Sequence, residues 1–235
     1  MKRWHVVVVV PARNEEASIV GCLRSIQRAA WLVRPFASID VIVVADSCTD
    51  QTAGRALGVG SRVCVLELDL GCVGAARHFG VAAGLRRSSI DTRRVWLANT
   101  DADSSVPATW LLRQLVLGWR GFVAVAGLVQ LDRRTNRDLQ TAFLSSYTRR
   151  VDGTHDHVHG ANLGVRADAY CAVGGWSRTI ATGEDHDLWN RLQIVGPTMP
   201  SSSVYVVTSA RTTGRAPAGF AAHMAAHEAA LVGGR

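Results

Sequence analysis

Short, almost wholly apolar runs alternate along this chain with longer stretches in which apolar positions recur every three or four residues. Residues 5–10, 40–45, 63–66 and 95–99 are β-branched and nearly continuous in hydrophobicity, the pattern of strands covered on both faces. Between them, Ile19, Leu23, Ile26 and Ala30 mark one helical face after an Asn14-Glu15-Glu16 start, and Ala75, Phe79 and Ala82 mark another after Gly71 and Gly74. Residues 110–117 form a third helical segment with Pro107 near its first turn. The second half is less regular: a strand over 123–131 interrupted by Gly127, a helix over 137–149 and a polar loop over 152–159. A short helix over 167–173 is ended by Gly174-Gly175, and a longer one over 184–195 is stopped by Gly196-Pro197. A late strand over 204–207 precedes a final helix over 220–231 whose Phe220, Met224 and Leu231 share a face. Repeated βα units predict a mostly parallel, Rossmann-like sheet flanked by helices, with ligands at the carboxyl ends of the strands.

A chain of 235 residues, 48% hydrophobic, fits one domain spanning 1–235. Five cysteines without C-x-x-C spacing argue against a zinc site or a disulfide framework and for a reducing compartment. The first residues lack the long apolar core of a signal peptide, and no stretch approaches the roughly 18 apolar residues of a membrane span. A cytoplasmic protein is expected, with a peripheral membrane contact and a homodimer left open. The formal charge of +7 is spread through doublets such as Arg86-Arg87, Arg133-Arg134 and Arg149-Arg150. No basic block or nucleic-acid motif accompanies them, which favours a phosphorylated small molecule over nucleic acid.

Candidate chemistry gathers where apolar strands end. Asp101-Ala102-Asp103 follows the strand over 95–99, Asp46 closes the strand over 40–45, and Glu184-Asp185 opens a late helix. Each has a plainer reading. Asp at strand exits and helix starts belongs to ordinary turn and cap chemistry, and Thr182-Gly183-Glu184-Asp185 is a variant of the capping box. His155, His157 and His159 would share a face if extended, but no further ligand at suitable spacing supports zinc.

Taken in order, residues 6–16 (VVVVVPARNEE), 43–50 (VVADSCTD), 71–80 (GCVGAARHFG), 100–103, 160–176 and 183–192 resemble the motifs of family 2 glycosyltransferases with the GT-A fold. The resemblance covers about residues 5–195. It implies an α/β GT-A domain with a nucleotide-binding half at 1–103 and an acceptor-binding half at 104–235. It also implies an enzyme moving a sugar, of hexosyltransferase type, from a nucleoside diphosphate donor to a hydroxyl acceptor with inversion. Pro11, Ala12 and Glu15 would lie against the nucleoside, and Asp46 would accept from its base, although Ala45 stands where the family carries a further acid. Gly71 and Gly74 would let backbone approach an anion at a helix N-terminus, with Arg77 pairing to the diphosphate. Asp101 would lean to the ribose, and Asp103, with Asp101, to a Mn²⁺ or Mg²⁺ ion; His223 or His227 is a further candidate for that metal. Glu184 and Asp185 are the catalytic pair, Asp185 acting as general base. His159, Asn162 and Trp176 are the acceptor-side candidates. The family's Q-x-x-R-W extension is missing, Asn190-Arg191-Leu192 standing in its region, which argues against a processive synthase. Two alternatives remain: an inactive relative that only binds a sugar nucleotide, and a nucleotidyltransferase of related fold.

Overall fold

The computed structural model describes residues 3–60, 62–132, 135, 141 and 150–209. Apart from residue 141, the helix expected at 137–149 lies outside the described residues, as do the helix expected at 220–231 and His223 and His227.

The valine run at the start forms β1 (Trp4–Ala12), the centre of the parallel half of the sheet. Val6, Val8 and Val10 enter one core layer while Val7 and Val9 enter the other. The alternation of strand side chains therefore explains why every position of this run must be apolar. β2 (Ala37–Asp46) and β4 (Val95–Asn99) pair with β1 in parallel, and β3 (Val63–Leu68) pairs with β2. Pro11 lies inside β1, opposite Val44, not in the turn beyond it. The β1–β4 register ends at Val9↔Asn99, so the N–H that proline lacks is not needed there.

α1 (Ile19–Val33) and α4 (Trp110–Trp119) cover one face, and α3 (Val73–Arg87) covers the other. Gly80 and Gly84, one turn apart on α3, bring that helix close to the sheet. A Cβ at Gly84 would stand 2.2 Å from Val7 Cγ1, and one at Gly80 would stand 2.6 Å from Val9 Cγ1. Three elements went unforeseen: the short α2 (Thr52–Leu57), the two-residue β5 (Ser104–Ser105) and β7 (Leu163–Arg166). β7 is only four residues long and follows a 3-10 turn, too short to show periodicity. It runs antiparallel between β4 and β6 (Ala124–Leu131) and so joins the parallel half to the remainder. β8 (Thr198–Thr208) extends well beyond 204–207, pairs in parallel with β6, and carries the two-residue β5 (Ser104–Ser105) on its outer side. The strand order is β3-β2-β1-β4-β7-β6-β8-β5. α5 (Ala167–Ala172) and α6 (Glu184–Val195) complete the described elements, with Tyr170, Leu188, Trp189 and Leu192 packed on the α3 side.

The Gly84→Ala variant should lose about 1–3 kcal/mol of stability, because the methyl meets a β-branched side chain already fixed in the sheet. Urea denaturation would show this as a lower midpoint at an unchanged slope, and a wild-type midpoint would mean that α3 can move off the sheet freely.

Candidate active site

The carboxyl ends of β1, β2 and β4 open onto one rim, where the sequence placed its acids. Asp46, the last residue of β2, is buried and turned inward onto the loop between β3 and α3. Its Oδ1 accepts from the backbone N–H of Leu70 at 2.6 Å and of Gly71 at 3.1 Å, and its Oδ2 accepts from Cys72 at 3.2 Å. At the start of the glycine turn, the N–H groups of Gly71 and Cys72 thus enclose an internal carboxylate. Gly74 has a separate duty: a Cβ there would lie 2.3 Å from the Ser177 carbonyl, so the turn packs tightly against the segment leading into α6.

Neighbouring turns are tied together in the same way. Asn14 and Ser47 are the two non-glycine residues with positive φ among the described residues, at 53° and 54°, conformations that cost energy unless side-chain bonds hold them. Asn14 Oδ1 accepts from Thr49 N at 2.7 Å, and Ser47 Oγ donates to Asp69 at 2.6 Å. Glu15 is buried at the mouth of α1, its N–H donating to Thr52 Oγ1 at 2.7 Å, while Pro11 and Ala12 are buried at the end of β1. Asn14 was expected only as a turn residue at the start of α1 and Ser47 was not weighed, although a polar residue just past an apolar strand is the signal that could have found it.

Arg77 meets carboxylates of the protein. It is buried in α3, and Nη2 donates to Asp101 Oδ1 at 2.8 Å while Nη1 donates to Glu184 Oε1 at 2.6 Å. The ring of Trp176 lies 5.1 Å beneath the guanidinium carbon, a cation–π contact on its remaining face. Each terminal nitrogen expected to reach a diphosphate thus donates one N–H to a carboxylate of the protein. Burial draws the guanidinium pKa down, but Asp101, Glu184 and Asp185 together raise it above its ordinary value, so Arg77 is a fixed cation. Burial raises the Asp101 pKa, and the nearby charges of Asp103 and Glu184 add to the rise against the pull of Arg77. Asp103 accepts from Thr208 Oγ1 at 3.3 Å.

Two adjacent acids at the start of α6 face different partners. Glu184 turns inward to Arg77, whereas Asp185 Oδ2 accepts from the backbone N–H of Gly160 at 2.9 Å and Oδ1 from that of His186 at 2.8 Å. The capping-box reading is corrected: α6 starts from Gly183 at φ 81° with no side-chain cap, because its acids are engaged elsewhere. Gly160 went unweighed, yet a Cβ there would lie 2.7 Å from the Arg77 guanidinium, so only glycine can bring its N–H to Asp185 beside that cation. The acceptor-side trio divides. Asn162 is fully buried, accepting from Trp110 Nε1 at 2.9 Å and donating to Leu128 O at 2.8 Å, and Trp176 is buried under Arg77. Both shape the wall from behind and do not present themselves to an acceptor. His159 stays near Asp185, its ring nearly parallel to that of His157 with centroids 6.1 Å apart.

Among the described residues, no three His, Cys, Asp or Glu side chains converge to hold a metal. Asp101 and Asp103 nonetheless suit a hard divalent cation, since both carry carboxylate oxygens at one strand exit and such ions fill their other positions with water and phosphate oxygen.

A mixed α/β fold with a mostly parallel sheet, and acids gathered at the carboxyl ends of its strands, defines a GT-A-type domain. Glycosyl transferase family 2 matches residues 7–166, and the chain belongs to that family of glycosyltransferases. Among solved structures it is similar to S. aureus TarS 1-349 in complex with UDP-GlcNAc, at 14% identity and TM-score 0.64, covering 92% of this chain and 61% of that one. It is also similar to the mannosyltransferase PcManGT from Pyrobaculum calidifontis in complex with GDP-Man and Mn²⁺, at 18% identity and TM-score 0.64, covering 92% of this chain and 59% of that one. The chain thus spans about three-fifths of either structure's length. Among curated proteins, none matches the sequence significantly.

Replacing Arg77 by Ala should destabilise the protein by about 3 kcal/mol, since Glu184 is left as a buried charge without its partner while Asp101 is partly open to water. Thermal and urea unfolding measure it, and a variant as stable as wild type would mean that the carboxylates re-solvate at no cost.

Burial holds the His159 imidazole down at about 4, from an ordinary 6.5, although Asp185 pulls the other way. The unfolded chain therefore takes up this proton first, so the stability is whole above pH 6.5 and is lost as the pH falls toward 4. The loss at this one residue is on the order of 3 kcal/mol. His5, His78 and His155 are lowered in the same direction, each mainly by burial. In the His159→Asn variant, urea midpoints should decline less steeply over that range than in wild type; equal slopes would show that the folded ring takes up its proton as readily as the unfolded one.

Proposed function

We propose that this glycosyltransferase moves a hexose from a nucleoside diphosphate to a hydroxyl acceptor in one metal-assisted, inverting displacement. The observation that carries the reading is the meeting of Asp101, at the exit of β4 and two residues before Asp103, with Glu184, next to Asp185, through the cation Arg77. Residues 1–103 would form the nucleotide half and 104–235 the acceptor half. Pro11, Ala12, Glu15 and Asp46 would frame the nucleoside, Asp46 chiefly by holding the loop between β3 and α3 and offering the remaining lone pair of Oδ2. Asp101 and Asp103 would hold a Mn²⁺ or Mg²⁺ ion, which when bound offsets the charge growing on the departing diphosphate. That PcManGT was solved with GDP-Man and Mn²⁺ supports this assignment.

Asp185 is the general base in this reading. The acceptor oxygen forms a bond to the anomeric carbon as the bond from that carbon to the diphosphate oxygen breaks, and the acceptor proton passes to Asp185. Two backbone N–H groups hold the Asp185 carboxylate in place, and transfer to it comes late, when the acceptor oxygen is already bonding and its proton is acidic. Arg77 and Glu184 act as positioning residues, holding Asp101 and the start of α6 in one arrangement.

A thermal-shift screen of UDP-GlcNAc, GDP-mannose and related donors, with Mn²⁺ and with EDTA, identifies the donor. With that donor, the Asp185→Asn variant should fold and bind normally while kcat falls roughly 100-fold or more, and EDTA should abolish turnover by wild type. Near-normal transfer by Asp185→Asn would remove its role as base. Release of pyrophosphate in place of nucleoside diphosphate would make the protein a nucleotidyltransferase, and donor binding without turnover on any acceptor would make it a binding relative.

A further inference from the structure

The sheet is chemically polar from end to end. Asp46, Asp101, Asp103, Glu184 and Asp185 gather at the carboxyl ends of the parallel strands, whereas the opposite end begins with Trp4, Ala37, Val63, Val95 and Ala124. Helices that return the chain to those strand starts finish there with apolar side chains in solvent. Trp31 is 69% exposed near the end of α1, Phe36 41% just before β2, Leu57 58% at the end of α2, and Ile194 83% and Val195 44% at the end of α6. These are five of the seven large apolar side chains exposed among the described residues. Trp119 extends the patch, edge-on to Phe36 at 5.8 Å, and Trp4 donates its backbone N–H to the Phe36 carbonyl at 3.0 Å. Such a concentration at one end is not the scatter of single apolar residues that any surface carries.

The charges around it have one sign. Arg3, Arg28, Arg34 and Arg120 are exposed beside these aromatics, and none has a carboxylate partner among the described residues. Asp40, Asp91 and Asp168, the acids nearest this end, are already held by Arg87, Arg93 and Arg166. A second copy of the same surface would bring arginines against arginines. Nucleic acid would satisfy the arginines but offers no apolar phase for Leu57, Ile194 and Val195. An anionic bilayer offers both: phosphate charge for the guanidinium groups, and a headgroup–acyl boundary where Trp and Phe side chains settle.

We propose that the end of the sheet bearing Trp31, Phe36, Leu57, Ile194 and the unpaired arginines docks on an anionic phospholipid surface. β1 alone, at nine residues, separates that surface from the acidic rim by about 30 Å. The docked protein therefore turns its site away from the bilayer and receives donor and acceptor from the aqueous side. The proposal stands apart from the transfer reaction, since it uses none of the residues assigned to it.

Flotation with phosphatidylcholine vesicles, and with vesicles of equimolar phosphatidylcholine and phosphatidylglycerol, tests it on the full chain. Wild type should float with the anionic vesicles alone, and added salt should weaken that binding. The Trp31→Ala/Arg28→Glu/Arg34→Glu triple variant should bind at least tenfold more weakly, with an unchanged melting temperature and an unchanged thermal shift by UDP and Mn²⁺. Arg28→Glu/Arg34→Glu without the tryptophan change, and Trp31→Ala alone, should each give a partial loss, which keeps the test open if the triple variant folds poorly. Equal flotation with neutral vesicles, or none with anionic ones, would overturn the proposal. So would a dimer in light scattering that the triple variant abolishes, or tighter binding to a duplex DNA oligonucleotide than to vesicles.

Discussion

The buried guanidinium of Arg77 is the interaction on which the site depends. A cation with so little access to water must be neutralised by near neighbours or expelled. Here it is held by Asp101 from the end of β4, by Glu184 from the start of α6, and by the face of Trp176. These come from distant parts of the chain, so one residue of α3 sets how the exit of β4 and the start of α6 stand to each other. The backbone is shaped to the same cation. Gly160 has no room for a side chain against it, and its N–H is what reaches Asp185.

Around that centre the rim is stiffened by carboxylates and amides that turn back onto backbone. Asp46 gathers three consecutive N–H groups, and Asn14 and Ser47 hold left-handed conformations through side-chain bonds to neighbouring turns. A floor tied in this way loses little freedom when a ligand arrives, which is the physical content of preorganisation. The far end of the sheet carries the opposite chemistry, arginine and exposed aromatic, so charge and hydropathy are separated along the strand direction rather than across the faces.

Periodicity was enough for the elements whose burial is uniform along their length. β4 and α6 have the bounds expected of them, and β1, β2 and α3 fall where continuous or three-to-four spaced hydrophobicity places them. The order of six acidic and glycine motifs was enough for the family, because each sits at a strand exit or helix start that the apolar pattern already marks. β7 was not legible, since four residues buried between two strands carry no period of their own. Thr182 offered a cap that went unused once Gly183 took a left-handed conformation and the acids behind it found other donors.

The sequence by itself determined which residues are acids at strand ends, which faces are buried, and which family the chain resembles, because all of these are local in the chain. Only the tertiary structure decided what each acid faces. Arg77 and Glu184 are 107 residues apart, and nothing in either neighbourhood marks the other as its partner. Asp46 holds the loop between β3 and α3, Asp185 holds Gly160, and Asn162 and Trp176 support the wall from behind. Those outcomes follow from where the sheet order brings the strand ends, and from the rule that a buried polar group takes whichever partner the packing leaves within reach.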